Sequence, residues 1–461
     1  MLNLSEVIVA IATPRGEGGV AIVRLSGSGC DTILRALVER PRHLSDSWQP
    51  RHMYLGRVLD AQKAVLDEVL AVFMTAPHSY TGENVAEIHC HGGLLLPSLI
   101  VDRCVELGAR LAEPGEFTLR AFLNGKLDLA QAEAVLGLIQ ASSAAAVRLQ
   151  AQGLEGALSQ RVKRLRSRLL NLIARLEAEI DFGEEVDSVS AEEQTAEADG
   201  VSRDIYLLLS DARSGDVLAQ GVNVALSGPP NAGKSTLWNK LLGEERALVT
   251  PIPGTTRDRL EASCTVNGCY LHLIDTAGLH QSADYVEQLG MQRTREAIEK
   301  AELNVVILDG SSAWNRENEE LVSLTAGTDP LILLNKRDLG VKLSESEAAV
   351  HFGAAAGSVL SVSLLDDSDL PLIKQRLAER IRAVTDKYGE GVVSVNQRQM
   401  QALNRAGDAL QSYRQGVALA MPSDCLLSDL HRALGCLGEV TGENVSEDIL
   451  DRVFSAFCLG K

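Results

Sequence analysis

The stretch "GPPNAGKS", Gly228 to Ser235, decides the fold. It matches G-x-x-x-x-G-K-[ST], follows the apolar run "VNVAL" (222–226) and precedes "TLWNKLL", a helix-like segment. Strand, glycine-rich loop and helix is the context this motif requires. The N–H groups of such a loop converge on phosphate oxygens, and the helix N-terminus adds positive potential. Asn231, Ala232, Gly233, Lys234, Ser235 and Thr236 are therefore expected to line a nucleotide's phosphates. Lys234 would reach the β- and γ-phosphates and Ser235 would ligate Mg²⁺.

Two further motifs follow in order. "DTAG" (Asp275, Thr276, Ala277, Gly278) ends the run "YLHLI". It suits a carboxylate that holds Mg²⁺ through water, then a glycine whose N–H faces the γ-phosphate. "NKRD" (335–338) follows "PLILL". The Asp338 carboxylate can accept from guanine N1–H and N2–H₂, a donor pair that adenine lacks. Asn335 would support the base edge and its loop, and Lys336 would lie along the purine plane. Three ordered motifs imply a guanine nucleotide. "LSVS" (360–363) stands where a loop should meet the guanine carbonyl, so Ser361 and Val362 are the expected contacts, in place of the usual Ser-Ala-Lys.

Hydrolysis needs a positioned water. Leu279 occupies the place that glutamine holds in many GTPases and cannot hydrogen-bond. Downstream, Asp284 and Glu287 are the alternatives, and spacing does not choose between them. "TPIPGTTRD" (250–258) is the segment expected to close over the γ-phosphate, with Thr255 or Thr256 on Mg²⁺. No arginine finger is obvious: Arg257 could serve, and is as easily an ordinary switch residue. The Asn231 carbonyl oxygen, with main-chain carbonyls, offers a seat for a monovalent cation.

The bulk numbers bound the rest. At 461 residues the chain should hold two to four domains. A net charge of −18 argues against broad nonspecific nucleic-acid binding, and "RVKRLRSR" (161–168) reads as a solvated helix face. No apolar run is long enough to span a bilayer, no basic segment precedes the N-terminal apolar stretch, and the eight cysteines form no CxxC pair. These features point to a reducing cytoplasm and no membrane. Val/Ile-rich runs occupy the first ~120 residues, proline-free Ala/Leu-rich helices follow from 126, strands alternate with helices from 222 to about 385, and helix then returns. An α/β unit inserted into a helical domain is the economical reading. In "HCHGG" (89–93), His89 and Cys90 alternate on a strand and so face opposite ways, which favours a structural strand end over a metal site.

The chain resembles the MnmE (TrmE) family. The likeness rests on "GGVAIVRLSG", "SYTGENVAEIHCHGG", "PGEFTLRAFLNGKLDLAQAEAV", "GPPNAGKST", "PGTTRD", "DTAGL", "NKRD" and the terminal "FCLGK". It implies an α+β N-terminal folate-binding domain (1–122), an all-α helical domain (123–219 and 385–461) and an inserted α/β P-loop GTPase domain (220–384). It implies a homodimer that works with an FAD-dependent MnmG-type partner on C5 of the tRNA wobble uridine, drawing one carbon from 5-formyl- or 5,10-methylene-tetrahydrofolate. By resemblance, K⁺ would sit among Asn231, Thr250, Ile252 and Thr255, and Mg²⁺ between Ser235 and Thr256. Pro251, Pro253 and Gly254 would belong to the same closing segment, and Glu287 would position water. Folate would lie on Arg24, Glu87, Lys126 and Lys461. Cys458 stands as a candidate catalytic thiol beside Lys234 and Glu287, with a redox or small buried role left open. A GTPase switch in ribosome assembly is the competing reading, and the absence of a basic appendage counts against it.

Overall fold

The computed structural model describes residues 5–40, 48–141, 143–182, 188–244, 261–267, 269–275, 287–355, 357–386 and 392–461. They form two compact units. The first takes residues 1–139, 153–205 and 401–461, and the second takes 140–152 and 206–400. Along the chain, most of the second unit therefore lies between two stretches of the first.

The first unit holds a seven-stranded sheet of β1 (Ile8–Ile11), β2 (Ala21–Ser26), β3 (Val38–Glu39), β4 (Met53–Leu59), β5 (Val65–Met74), β6 (Val85–Cys90) and β7 (Arg110–Leu111), in the order β3-β4-β5-β6-β2-β1-β7. Helices Cys30–Leu37 and Leu96–Glu106 cover one face. The period-2 pattern of the strands sends Val23, Leu25, Val69, Ala71, Ala86 and Ile88 into that core. The opposite face carries Arg24, Glu87 and His89 beside the exposed Met53, Leu55 and Leu70.

Helix Ala157–Phe182 buries Leu158, Val162, Leu165, Leu169, Leu172, Ile173 and Leu176, an apolar stripe at helical spacing. Several of its basic residues meet carboxylates. Arg168 donates to Glu197 at 2.7 Å and Asp204 at 2.9 Å, Arg166 meets Glu443, and Lys163 lies 4.0 Å from Asp128. The stretch 161–168 is thus largely neutralised within the fold.

The second unit contains β8 (Val222–Ser227), β9 (Glu261–Val266), β10 (Cys269–Asp275), β11 (Leu303–Asp309), β12 (Leu331–Asn335) and β13 (Val359–Ser361), ordered β13-β12-β11-β8-β10-β9. Among these strands β9 pairs antiparallel and the rest run parallel. Strands covered on both faces read as continuous apolar runs, and Val305 to Leu308 are fully buried. The molecule thus combines an α+β N-terminal part, an all-α part and an α/β P-loop fold.

In the first unit a buried charge network ties the sheet to helix Glu116–Leu123. Glu116 and Arg120 are both sealed from solvent. The Glu116 carboxylate accepts from Arg110 (2.8 and 3.1 Å), Arg120 (2.9 Å) and the Glu113 N–H (2.9 Å). Arg120 continues to Glu83 at 3.0 Å and the Glu6 carbonyl at 3.1 Å. Burial alone would raise the Glu116 pKa, but the bonds from Arg110, Glu113 and Arg120 outweigh it and hold the carboxyl below its ordinary 4.5. A depressed folded-state pKa contributes stability above the unfolded value and loses it as pH falls through the folded one. Glu116→Gln should therefore cost roughly 3–5 kcal/mol at neutral pH, because it removes the charge from one side of a buried pair. In urea titrations that gap should narrow progressively below pH 4.5.

Candidate functional site

The phosphate loop is shaped by residues with unusual backbone angles. Gly228 has φ +152°, and a Cβ there would strike the Ile307 carbonyl of the neighbouring strand. Gly233 has φ +117°, and its missing Cβ makes room for the Asn335 side-chain amide. Asn231 between them sits in the left-handed region at φ 59°, a conformation asparagine tolerates better than most residues. Helix Lys234–Glu244 starts directly after the loop. Lys234 Nζ donates to the carbonyls of Gly228 and Pro229, both at 2.8 Å, so the ammonium is held across the mouth of the loop. Ser235 and Thr236 occupy the helix's first turn, and Asp275 closes β10 beside Leu226 of β8.

Asn335 joins this loop to the segment that follows β13. Its Nδ2 donates to the Ala232 carbonyl at 2.7 Å and its Oδ1 accepts from the Leu364 N–H at 2.9 Å, with the residue buried. Lys336 takes φ +68° and anchors its ammonium on Asp309 at 2.7 Å. Burial works to raise the Asp309 pKa, but Lys336 and Ser311 together keep it below its ordinary value. Arg337 pairs with Asp369 at 2.9 Å and with the Ser361 carbonyl at 3.0 Å.

The structure places Ser361 and Val362, the expected base contacts, in contacts of their own. Ser361 belongs to β13 and gives its N–H to Glu345 at 2.7 Å. Val362 gives its N–H to the Leu334 carbonyl at 2.9 Å and buries its side chain in the core. The pairing of this segment with β12 thus uses the amide of Val362 itself. The next residue is Ser363, and its hydroxyl donates to Asp338 Oδ1 at 2.6 Å. Ser363, two positions after Ser361, is the residue that meets the Asp338 carboxylate, while the Leu364 N–H goes to Asn335. The sequence carries a signal for it, because a serine followed by an apolar residue recurs at 363–364 once the strand is allowed to run to its end. Thr250, Pro251, Ile252, Pro253, Gly254, Thr255, Thr256, Arg257, Thr276, Ala277, Gly278 and Asp284 lie outside the described residues, and Glu287 begins helix Glu287–Lys300.

A second cluster lies on the open face of the first unit's sheet. Arg24 of β2 stands opposite Glu87 of β6, and its Nε donates to Glu87 Oε1 at 2.8 Å. The guanidinium lies over the rings of Tyr80 (5.6 Å) and Phe117 (5.8 Å). Lys461 joins them. Burial, and then the Arg24 charge, lower its pKa below the ordinary lysine value, while Glu87 opposes the shift. The tail is docked: Phe454 and Phe457 are buried, the Lys461 carbonyl accepts from the Phe117 N–H at 3.2 Å, and Gly460, at φ +92°, packs against the Ile11 carbonyl. Lys126 donates to the Pro77 carbonyl at 3.2 Å in an exposed contact. Cys458 is exposed, so a buried packing role does not hold for it. In "HCHGG", Cys90 is buried with its thiol pushed up to about 11, chiefly by desolvation, and His91 binds Asp67 at 2.8 Å. Among the described residues no group of three or more His, Cys, Asp or Glu could hold a metal.

A mostly parallel sheet whose phosphate loop is bridged by Asn335 to the segment that follows β13, next to an aspartate-bearing turn, is the architecture of a P-loop GTPase. The comparisons narrow this class. The family described as "GTP-binding protein TrmE N-terminus" matches residues 7–126, and "MnmE helical domain" matches residues 129–458. The tRNA modification GTPase MnmE of Heliobacterium modesticaldum is 41% identical over 474 residues, covering 99% of this chain and 100% of that protein. Those of Alkaliphilus metalliredigens and Nitrosomonas eutropha are 38% and 39% identical, each over 99% of this chain and 100% and 99% of their own lengths. The chain belongs to the MnmE family.

The two serines have a direct test. Ser363→Ala should weaken GDP binding roughly tenfold, since it removes a hydrogen bond to a charged carboxylate. Ser361→Ala should change it less than about twofold, because the contacts of Ser361 are made by its main chain. Fluorescent-GDP titration reads both.

Proposed function

We propose that the protein hydrolyses GTP in support of C5 modification (aminomethyl or carboxymethylaminomethyl type) of the wobble uridine, U34, of tRNA. It would act as a homodimer with an FAD-dependent MnmG-type partner in the cytoplasm. Residues 1–122 would bind a tetrahydrofolate, either 5-formyl or 5,10-methylene. Residues 123–219 and 385–461 would form the helical domain, and 220–384 the GTPase domain. The observation that carries the reading is the presence in one chain of a phosphate loop tied by Asn335 to the segment whose Ser363 bonds Asp338, and of the Arg24–Glu87–Lys461 cluster, with relatives of the same name matching along nearly the whole length. Among the described residues no helix is long and apolar enough to cross a membrane.

The residues present suit the groups this reading requires. The Ser235 hydroxyl, one residue beyond Lys234, fits a Mg²⁺ ligand, with Thr256 as the second. Asn231 is exposed in the phosphate loop at φ 59°. Its amide oxygen suits a K⁺ ion shared with Thr250, Ile252 and Thr255. A bound K⁺ would supply positive charge near the β–γ bridge, where an arginine finger acts elsewhere. Lys234 would exchange its two loop carbonyls for phosphate oxygens. Asp338 would accept from the guanine N–H groups while Ser363 fixes its carboxylate plane. Glu287 would orient water. At the sheet face, Glu87 would accept from the pterin's N–H groups, and Lys126 and Lys461 would hold the glutamate tail.

Two measurements test this. GTP turnover should be at least about tenfold faster in K⁺ than in Na⁺ at matched ionic strength; equal rates would remove the cation role of Asn231. Nucleoside analysis of tRNA from a deletion strain should show loss of the C5-modified wobble uridine. Unaltered wobble uridines accompanied by a ribosome-subunit defect would instead support the ribosome-assembly switch.

A further inference from the structure

The face that holds Arg24 and Glu87 carries a third polar side chain that the functional reading leaves unused. His89 follows Glu87 by two residues on β6, so both point to the same side of the sheet, away from the core that takes Ala86, Ile88 and Cys90. On that face it sits between Ile22 of β2 and Leu70 of β5. Its Nε2 is shut off from solvent and has no hydrogen-bond partner among the described residues. Glu87 Oε2 lies 3.5 Å away, about 0.5 Å beyond an ordinary hydrogen bond. The other carboxylate oxygen, Oε1, is already held by Arg24 at 2.8 Å.

A buried imidazole nitrogen left unpaired is costly, and such an atom in a native fold calls for an explanation. Hydrogen bonds within binding sites are often long without ligand and tighten when it arrives. Glu87 can read two N–H donors of a flat heterocycle only if its carboxylate plane is fixed. Arg24 secures one oxygen, and His89 is placed to secure the other.

We propose that His89 is a positioning residue for Glu87: with a pterin bound, its Nε2–H donates to Glu87 Oε2 and completes a two-sided clamp with Arg24. The inference rests on the folate reading of this face and deepens it, because it names the residue that sets the Glu87 carboxylate for the heterocycle end of the ligand. Leu70 and Ile22, which flank His89 on the neighbouring strands, add apolar surface beside that edge.

The test is a double-mutant cycle on the full chain, titrated calorimetrically with 5-formyltetrahydrofolate. His89→Leu should weaken binding roughly tenfold, the scale of a hydrogen bond to a charged group. His89→Gln, which keeps an N–H donor of similar reach, should stay within about threefold of the parent. Because His89 acts through Glu87, His89→Leu placed on Glu87→Gln should add less than about twofold further loss. Thermal unfolding midpoints check that the variants are folded, and His89→Asn, too short to reach Oε2, replaces the leucine variant if that one is not. Parent-like binding by His89→Leu, failure of His89→Gln to restore it, or fully additive losses would overturn the proposal while leaving the folate reading intact. Absence of binding by the parent chain would bring down the folate reading, and this proposal with it.

Discussion

The nucleotide-binding unit depends on one side chain. Asn335 closes β12 and spends its amide on two main-chain groups, the carbonyl of Ala232 and the N–H of Leu364. These groups belong to loops far apart in sequence, one that would hold phosphates and one that would face a base. A buried amide with both ends satisfied is rigid, because any displacement leaves unpaired polar atoms out of reach of water. The distance between phosphate end and base end is thereby set by backbone geometry, before any ligand contributes. Gly233 belongs to the same arrangement, since its missing side chain gives the amide its space.

The first unit uses a different device. Its sheet has one apolar face and one open face, and the segment between β5 and β6, "TAPHSYTGEN", has little apolar surface to hold it in place. Polar bonds hold it instead. Glu83 takes Arg120, and Ser26 donates to Glu83 at 2.7 Å. Tyr80, three residues earlier, bonds Thr118 at 2.9 Å and offers its ring to Arg24. The buried Glu116–Arg120 pair therefore helps to fix the surroundings of the Arg24–Glu87 cluster. Helix Glu116–Leu123 contributes twice: its start receives the tail through Phe117, and its middle anchors the loop through Arg120.

What is legible in the sequence follows the range of the interactions. The phosphate loop, "DTAG" and "NKRD" are short contiguous signatures, and apolar runs alone show their strand-to-helix settings. The serine that meets Asp338 lies two residues beyond the one its local sequence suggests. Its position depends on where the segment after β13 stops pairing with β12, and that is a matter of hydrogen-bond register between segments well apart in the chain. Asp309 as the anchor of Lys336 is hidden for the same reason, as is the Glu116–Arg120–Glu83 network: each pairs residues whose proximity only the tertiary fold creates. The basic stretch 161–168 is as unremarkable as its composition suggests. Its partners, Glu197, Asp204, Glu443 and Asp128, come from other segments that local sequence does not point to. Arg24, Glu87 and Lys461 stand out by family resemblance alone, since nothing in the local sequence around any of them distinguishes it from a surface charge.

The cation role proposed for Asn231 would set stability and chemistry against each other at a single position. At φ 59° an asparagine carries a backbone penalty that glycine would avoid. Selection for thermal robustness alone would drift toward glycine there and erase the one side-chain oxygen between Gly228 and Lys234. The angle thus marks a position where a stabilising redesign and the cation role proposed for Asn231 would pull in opposite directions.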